Sequence, residues 1–106
     1  MEIEKLKELL REFNEERDWD QFHSPENLAK SVAIEAGELL ECFQWSGDYD
    51  KHAVSDEIAD VVMYCIMLGD KIDIDIMSEI QRKLEENKAK YPVEKAKGSS
   101  KKYTEL

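Results

Sequence analysis

Apolar residues recur at intervals of three and four along almost the whole chain, and this spacing limits its possible folds more than any other feature. It predicts amphipathic helices, because one face of a helix repeats every 3.6 residues. The 106 residues include only two prolines and four glycines, which are few turn-forming residues for a sheet of many short strands. The predicted helices cover residues 2–17, 25–45, 50–71 and 75–90. Joined by short loops, they predict an all-α fold, a four-helix antiparallel bundle.

Local signals set the ends of these helices. Ser24 followed by Pro25 is typical of an N-cap and a first helical residue. The second helix is expected to stop near Ser46-Gly47, and Pro92 prevents the fourth from continuing. The residues predicted to be buried are Ile3, Leu6, Leu9, Leu10, Phe13, Leu28, Val32, Leu39, Phe43, Ile58, Val61, Val62, Cys65, Ile66, Leu68, Ile76, Ile80 and Leu84.

Charge and cysteine usage exclude several classes of protein. The net charge of −10 argues against nonspecific binding to nucleic-acid polymers, which needs a basic surface. No apolar run reaches the roughly 18 residues of a membrane helix, and the charged N-terminus does not resemble a signal peptide. Cys42 and Cys65 form no C-x-x-C pair and are expected to be buried free thiols in a reducing compartment. We therefore expect a cytoplasmic protein without a membrane partner.

The last fourteen residues differ in composition from the rest. Residues 93–106 are polar and carry four of the lysines, with Gly98 and two serines between them. Composition alone favours a disordered end. The chain is therefore divided into a helical domain, residues 1–92, and a basic tail, residues 93–106.

Two acidic pairs on neighbouring helices are the candidate chemistry. Glu35 and Glu38 lie three residues apart on the second helix, and Glu57 and Asp60 on the third. Residues at this spacing share one helix face, so each pair presents two carboxylates in the same direction. Their neighbours are mostly apolar, which suggests helices buried nearly all round. Packed together, the pairs would offer the oxygen ligands that Mg²⁺ prefers.

Other interpretations of these residues remain open. In so acidic a chain the pairs also arise as solvated faces, and the protein would then be a helical interaction module. Glu41 and Asp56 are expected at the surface or behind the ligands. Gly37 could mark the close approach of another backbone or of a ligand. A di-iron bundle is excluded, because it needs two Glu-x-x-His motifs and neither His23 nor His52 follows a glutamate by three.

Five segments resemble, in the same order, the MazG-like all-α nucleoside triphosphate pyrophosphohydrolases, and most closely their dCTP pyrophosphatase branch. They are ERDWDQFHSPENL, GELLECFQW, DEIADVVMY, NKAKYP and GSSKKYTEL. The resemblance covers about residues 10–106. It implies that Glu35, Glu38, Glu57 and Asp60 bind Mg²⁺, with Mn²⁺ as an alternative. It also implies substrate contacts by Trp19, Asp20, Gln21, Phe22, His23, Trp45, Tyr64, Asn87, Lys90 and Tyr91.

The same resemblance implies a reaction and an assembly. The expected activity is house-cleaning hydrolysis of a nucleotide, dCTP or a modified dCTP, between its α and β phosphates. Glu38, sharing the role with Glu35, would activate a water held by the metal or by a carboxylate. Lys90 and a lysine of the tail would offset charge on the leaving pyrophosphate. A homodimer or a dimer of dimers is implied, with the tail folded over a neighbouring site.

One position departs from the branch. Leu10 stands where relatives carry a histidine near the substrate, so the base and sugar preference stays open. A nucleotide-binding protein without turnover is the remaining alternative.

Overall fold

The computed structural model describes residues 1–106 and contains helices and turns but no strand. The all-α class is therefore confirmed. The chain divides into two compact units, Met1–Ile74 and Asp75–Leu106. The five α-helices are α1 (Ile3–Glu16), α2 (Pro25–Glu41), α3 (Lys51–Lys71), α4 (Ile76–Lys90) and the short α5 (Val93–Ala96), and 3₁₀ turns span Asp20–Phe22 and Tyr103–Glu105. That α4 joins α1 to α3 in one antiparallel bundle stays a prediction.

Side-chain caps begin three of the helices. The Ser24 hydroxyl accepts a hydrogen bond from the Asn27 N–H at 3.3 Å, and Pro25 follows as the first helical residue. Asp50 and Asp75 cap α3 and α4 in the same way, accepting from backbone N–H groups at 3.0 and 3.2 Å. Each such cap satisfies a donor that the helix itself cannot, which stabilises it by about 1 kcal/mol. The predicted start of α2 is confirmed.

The end of α2 differs from the prediction. The helix stops at Glu41, and residues 42–44 continue as tighter turns in which each N–H bonds the carbonyl three residues back, at 3.0–3.2 Å. Such tightening is common in a last turn, because it satisfies carbonyls that have no partner further along. Trp45 therefore lies beyond the helix.

The loop after α1 is fixed by the way that helix ends. Asp18 adopts the left-handed conformation, with φ 55°, and the Trp19 N–H donates to the Asn14 carbonyl at 2.9 Å. This backbone arrangement turns the chain sharply after a helix and is usually accompanied by an apolar contact. Here the Trp19 ring meets Phe13 edge-on, with ring centroids 5.6 Å apart. Asp73 ends α3 similarly, with φ 58°.

The core of the first unit is small. α1 and α2 both pack against α3, and each helix contributes one buried apolar side chain, Leu10, Leu28 and Ile66 respectively. Three helices can cover only their facing stripes, so their outer apolar residues remain in solvent. Within the single chain the helices are therefore not buried nearly all round, and their burial in an assembly stays a prediction. The predicted core residues that are exposed are Leu9, Phe13, Phe43, Ile58, Val62, Cys65, Ile80 and Leu84.

The second unit contains α4 and the tail. Charged pairs three and four residues apart line α4, among them Lys90 Nζ with Glu86 Oε1 at 3.2 Å. Tyr103 of the tail meets Tyr91 edge-on, with ring centroids 6.1 Å apart, and the Lys90 ammonium lies 5.0 Å from the Tyr103 ring centroid. The tail thus packs on the end of α4, and the disordered end favoured by composition is wrong. None of the helices has both the length and the apolar character needed to span a membrane.

Candidate active site

Three carboxylates of the first unit converge. One oxygen each from Glu35 of α2 and from Glu57 and Asp60 of α3 lies within 4.8 Å of the others, and all three side chains are half-buried. The convergence follows from the packing of α2 along α3, because the spacing of three places Glu57 and Asp60 on one face. The arrangement concentrates negative charge in a small volume.

Glu38 lies at the edge of this cluster. It is exposed, and it is not one of the three residues whose oxygens converge. Its carboxyl group nevertheless acts on both Glu35 and Glu57 through a hydrogen bond and through its charge. The structure therefore brings all four predicted carboxylates together, with three forming the centre.

Crowding of like charges shifts the pKa of two of these groups. The hydrogen bond with Glu38, followed by burial and by the charges of Glu38 and Asp60, raises the pKa of Glu35 to about 7. Burial, followed by the interaction with Glu38, raises the pKa of Glu57. In both groups, burial and the neighbouring carboxyl groups make the ionised form unfavourable. The protein alone thus favours a partly protonated cluster at neutral pH.

Unpaired atoms in the cluster indicate what it lacks. Only three buried side-chain polar atoms of the chain have no hydrogen-bond partner, and Glu35 Oε2 and Glu57 Oε2 are two of them. A buried charged oxygen without a partner is costly. A hard divalent cation, which binds several carboxylate oxygens, would satisfy both atoms and offset the repulsion. The donor set therefore fits such an ion.

The loop between α1 and α2 is held by specific contacts. Asp20 accepts from Lys71 Nζ at 2.8 Å, and this hydrogen bond and charge lower the pKa of Asp20. Gln21 Nε2 donates back to the Asp18 carbonyl at 2.9 Å, and the Phe22 carbonyl accepts from Asn27 Nδ2 at 3.0 Å. The Phe22 ring itself is exposed.

A cavity of about 340 Å³ opens beside this loop. Its wall includes two of the predicted substrate residues, Asp20 and His23. It also includes Leu10 and Asn14 of α1, and Asn14 is a residue that the sequence analysis missed. The signal in the sequence that could have identified Asn14 was its place as a polar residue on the apolar stripe of α1, four positions after Leu10.

The other predicted substrate residues do not belong to the wall of this cavity. Trp45 lies in the loop after α2 and is 89% exposed, while Tyr64 is half-buried on α3, one turn after Asp60. A Cβ added to Gly37 would meet nothing within 4 Å, so no part of this chain approaches it closely. Asn87, Lys90 and Tyr91 belong to the second unit, and their contribution to the site stays a prediction.

Comparison with known proteins assigns the family. The family model described as MazG-like matches residues 30–106, which include both carboxylate pairs. The chain belongs to the MazG-like family. Among the curated proteins related to this MazG-like chain is dCTP pyrophosphatase 1 of Homo sapiens, 37% identical over 114 residues. Its counterpart from Mus musculus is 36% identical, and each alignment covers 98% of this chain and 67% of the relative.

A solved structure agrees with this assignment. The crystal structure of a pyrophosphatase from Archaeoglobus fulgidus superposes on this MazG-like chain with a TM-score of 0.78 and 43% sequence identity. The match covers 84% of this chain and 91% of that one. The likeness thus extends over most of both chains.

Proposed function

We propose that this MazG-like protein is a Mg²⁺-dependent nucleoside triphosphate pyrophosphohydrolase. Its substrate is a deoxynucleotide, dCTP or a modified dCTP, which it cleaves to the nucleoside monophosphate and pyrophosphate. The convergence of Glu35, Glu57 and Asp60, with two buried oxygens left unpaired, carries the proposal. The relatives named dCTP pyrophosphatase 1 support the choice of substrate.

The carboxylates would hold the cation. Glu35, Glu57 and Asp60 supply converging oxygens, and Glu38 stands beside them. Bound Mg²⁺ would neutralise the triphosphate and polarise its phosphoryl oxygens. This matters for a protein with a net charge of −10, which would otherwise repel its substrate.

Glu38 is the proposed base. It is the most accessible carboxylate of the four, so a water can reach it, and it interacts directly with Glu35. As water attacks the α phosphorus, its proton passes to Glu38, and the bond from that phosphorus to the oxygen of the β phosphate breaks. Glu35, whose carboxyl group interacts with that of Glu38, can share the proton.

The leaving group and the assembly involve parts outside the carboxylate cluster. Lys90 and the tail lysines would offset charge on the departing pyrophosphate. A homodimer or a dimer of dimers would cover the outer apolar residues, of which Ile34 is 62% and Leu40 is 72% exposed.

Both cysteines are free, which is consistent with a reducing compartment and supports a cytoplasmic location.

The test is pyrophosphate release from a panel of the common deoxynucleoside triphosphates with Mg²⁺. We expect dCTP to be hydrolysed, and Glu38→Gln and Asp60→Asn to abolish turnover. Glu41→Gln, which neutralises an exposed acid on the same stretch of chain, is the matched control and should retain activity. Turnover that survives Glu38→Gln and Asp60→Asn would remove the proposed site.

The same experiment separates the alternatives. If no nucleotide is hydrolysed but Mg²⁺ with dCTP raises the melting temperature, the protein binds nucleotides without turnover. If neither turnover nor stabilisation is seen, the protein is a helical interaction module, and its acidic faces only keep it in solution.

A further inference from the structure

Asn14 is a buried polar residue whose hydrogen bonding is incomplete. Only 7% of the residue is exposed, and Oδ1 is itself buried without a partner in the protein, so a ligand in the cavity reaches this oxygen when the side chain rotates toward it. Its Nδ2 faces Met67 Sδ at 3.7 Å, a weak acceptor. Rotating the amide by a half-turn would place an oxygen against that sulfur, so this contact favours Oδ1 as the free atom. Buried carbonyl oxygens normally have a donor, which makes the unpaired one informative.

Four of the charged groups around the same cavity pair with one another. Arg11 donates two hydrogen bonds to Asp70, at 2.7 and 2.5 Å, and Lys71 donates to Asp20 at 2.8 Å. All four residues line the cavity with Asn14. Glu15, His23 and Asp73 also line the cavity and can accept, but Asn14 is the only amide of this wall and so the side chain that offers an acceptor and a donor side by side.

The cavity lies at a useful distance from the carboxylates. Leu28 lines it from α2, and Glu35 follows seven residues later; Met67 lines it from α3, seven residues after Asp60. Seven residues are two turns, so each carboxylate lies on the same helix face about 10 Å away along the axis. This separation suits a nucleotide with its phosphates at the carboxylates and its base in the cavity.

We propose that Asn14 is a specificity-determining residue that recognises the base of the substrate. Its Oδ1 accepts a hydrogen bond from an exocyclic amino group, and the second hydrogen of Nδ2 donates to the adjacent ring nitrogen. Cytosine presents this pair as N4–H₂ and N3, whereas uracil and thymine present a carbonyl oxygen at position 4, which Oδ1 repels. The inference deepens the proposed function and rests on it.

The experiment pairs a substrate change with a residue change. Wild-type protein and Asn14→Leu, which has a similar shape without the amide, are assayed with dCTP and with the triphosphate of its 4-deamino analogue, deoxy-2-pyrimidinone. We expect the wild type to prefer dCTP by roughly 10- to 100-fold in kcat/KM, because one base contact is lost in the analogue. In Asn14→Leu this ratio falls to near one. Asn14→Ala should also bring the ratio to near one, although alanine leaves a space that leucine would fill.

Controls keep the outcome independent of folding and of the proposed function. Gln81→Leu removes an exposed amide of α4 and should keep the wild-type ratio. The ratio compares two substrates on the same sample, so partial misfolding cancels. A wild type that hydrolyses dCTP but shows no preference over the analogue, or a preference that survives in both Asn14 variants, overturns the role of Asn14. Failure to hydrolyse any nucleotide overturns the proposed function instead.

Discussion

Protons and the divalent cation should compete for the carboxylate cluster. Glu35 has a pKa of about 7 because of Glu38, burial and Asp60, so it is mostly ionised at pH 8 and mostly protonated at pH 6. A cation binds the ionised form. With a pKa of about 7, the ionised fraction changes from about 0.9 at pH 8 to about 0.1 at pH 6. The affinity for Mg²⁺ or Mn²⁺ should therefore fall about tenfold between these values from Glu35 alone.

Calorimetric titration of Mn²⁺ into the protein without nucleotide, at pH 6, 7 and 8, measures this change. Repeating the pH 7 titration in buffers of different ionisation enthalpy measures the protons released, and we expect about half a proton per ion from Glu35. Glu35→Gln should bind more weakly and with less pH dependence, while Glu41→Gln keeps the wild-type behaviour. An affinity that is constant from pH 6 to 8, with no proton release, would refute the account of the cluster.

The same shift predicts the pH dependence of folding in the absence of metal. Because the pKa of Glu35 is higher in the folded protein than its ordinary value of 4.5, the folded state holds the proton more tightly. Its stabilising contribution is therefore fully present below about pH 4.5 and is lost as the pH rises through about 7. Melting temperatures measured with and without Mg²⁺ should consequently diverge as the pH rises from 5 to 8. Curves that stay parallel would show that the cation does not relieve this repulsion.

Three further predictions concern the scaffold. Leu28→Ala removes a side chain that is 1% exposed, so it should lower the free energy of unfolding by about 2–5 kcal/mol in urea titration, and a loss below 1 kcal/mol would contradict the assigned core. Ser24→Ala removes the cap of α2 and should cost about 1 kcal/mol by the same measurement, whereas Ser55→Ala, at an exposed helix position, should cost less. Asp73→Gly relieves a left-handed backbone at φ 58° and should leave the melting temperature unchanged or higher; a clear drop would mean that the Asp73 side chain stabilises the turn.

Helix starts were predictable because they depend on local chemistry. Ser24 and Pro25 are adjacent in the sequence, and the hydrogen bond they predict needs no distant partner. The end of α2 was not predictable in the same way. Ser46-Gly47 marks where the helix can no longer continue, but its last turn already tightens after Glu41. A stop signal gives an outer limit for a helix.

The spacing of the carboxylate pairs predicts which residues share a helix face but not which of them become buried. It correctly placed each pair on one helix face, but the two members of a pair are equivalent in the pattern. Only the packing of α2 on α3 makes Glu35 half-buried and leaves Glu38 exposed at the edge. Asn14 shows the same limit, because a polar residue on an apolar stripe gains its meaning from the cavity beside it.

The apolar neighbours of the carboxylate pairs were expected to lie on helices buried nearly all round. Ile34 and Leu40 are largely exposed, which sequence periodicity cannot foresee because it reports an apolar face without naming what covers it. The proposed assembly is the natural cover.

The carboxylate cluster is proposed to support attack of water on the α phosphorus of dCTP. This attack can be followed by hydrolysing dCTP in ¹⁸O-labelled water with Mg²⁺ and analysing the products by mass spectrometry. We expect dCMP carrying one ¹⁸O atom and unlabelled pyrophosphate, formed by the wild type and not by Asp60→Asn. Label in the pyrophosphate, formation of dCDP with inorganic phosphate, or no cleavage at all would contradict it.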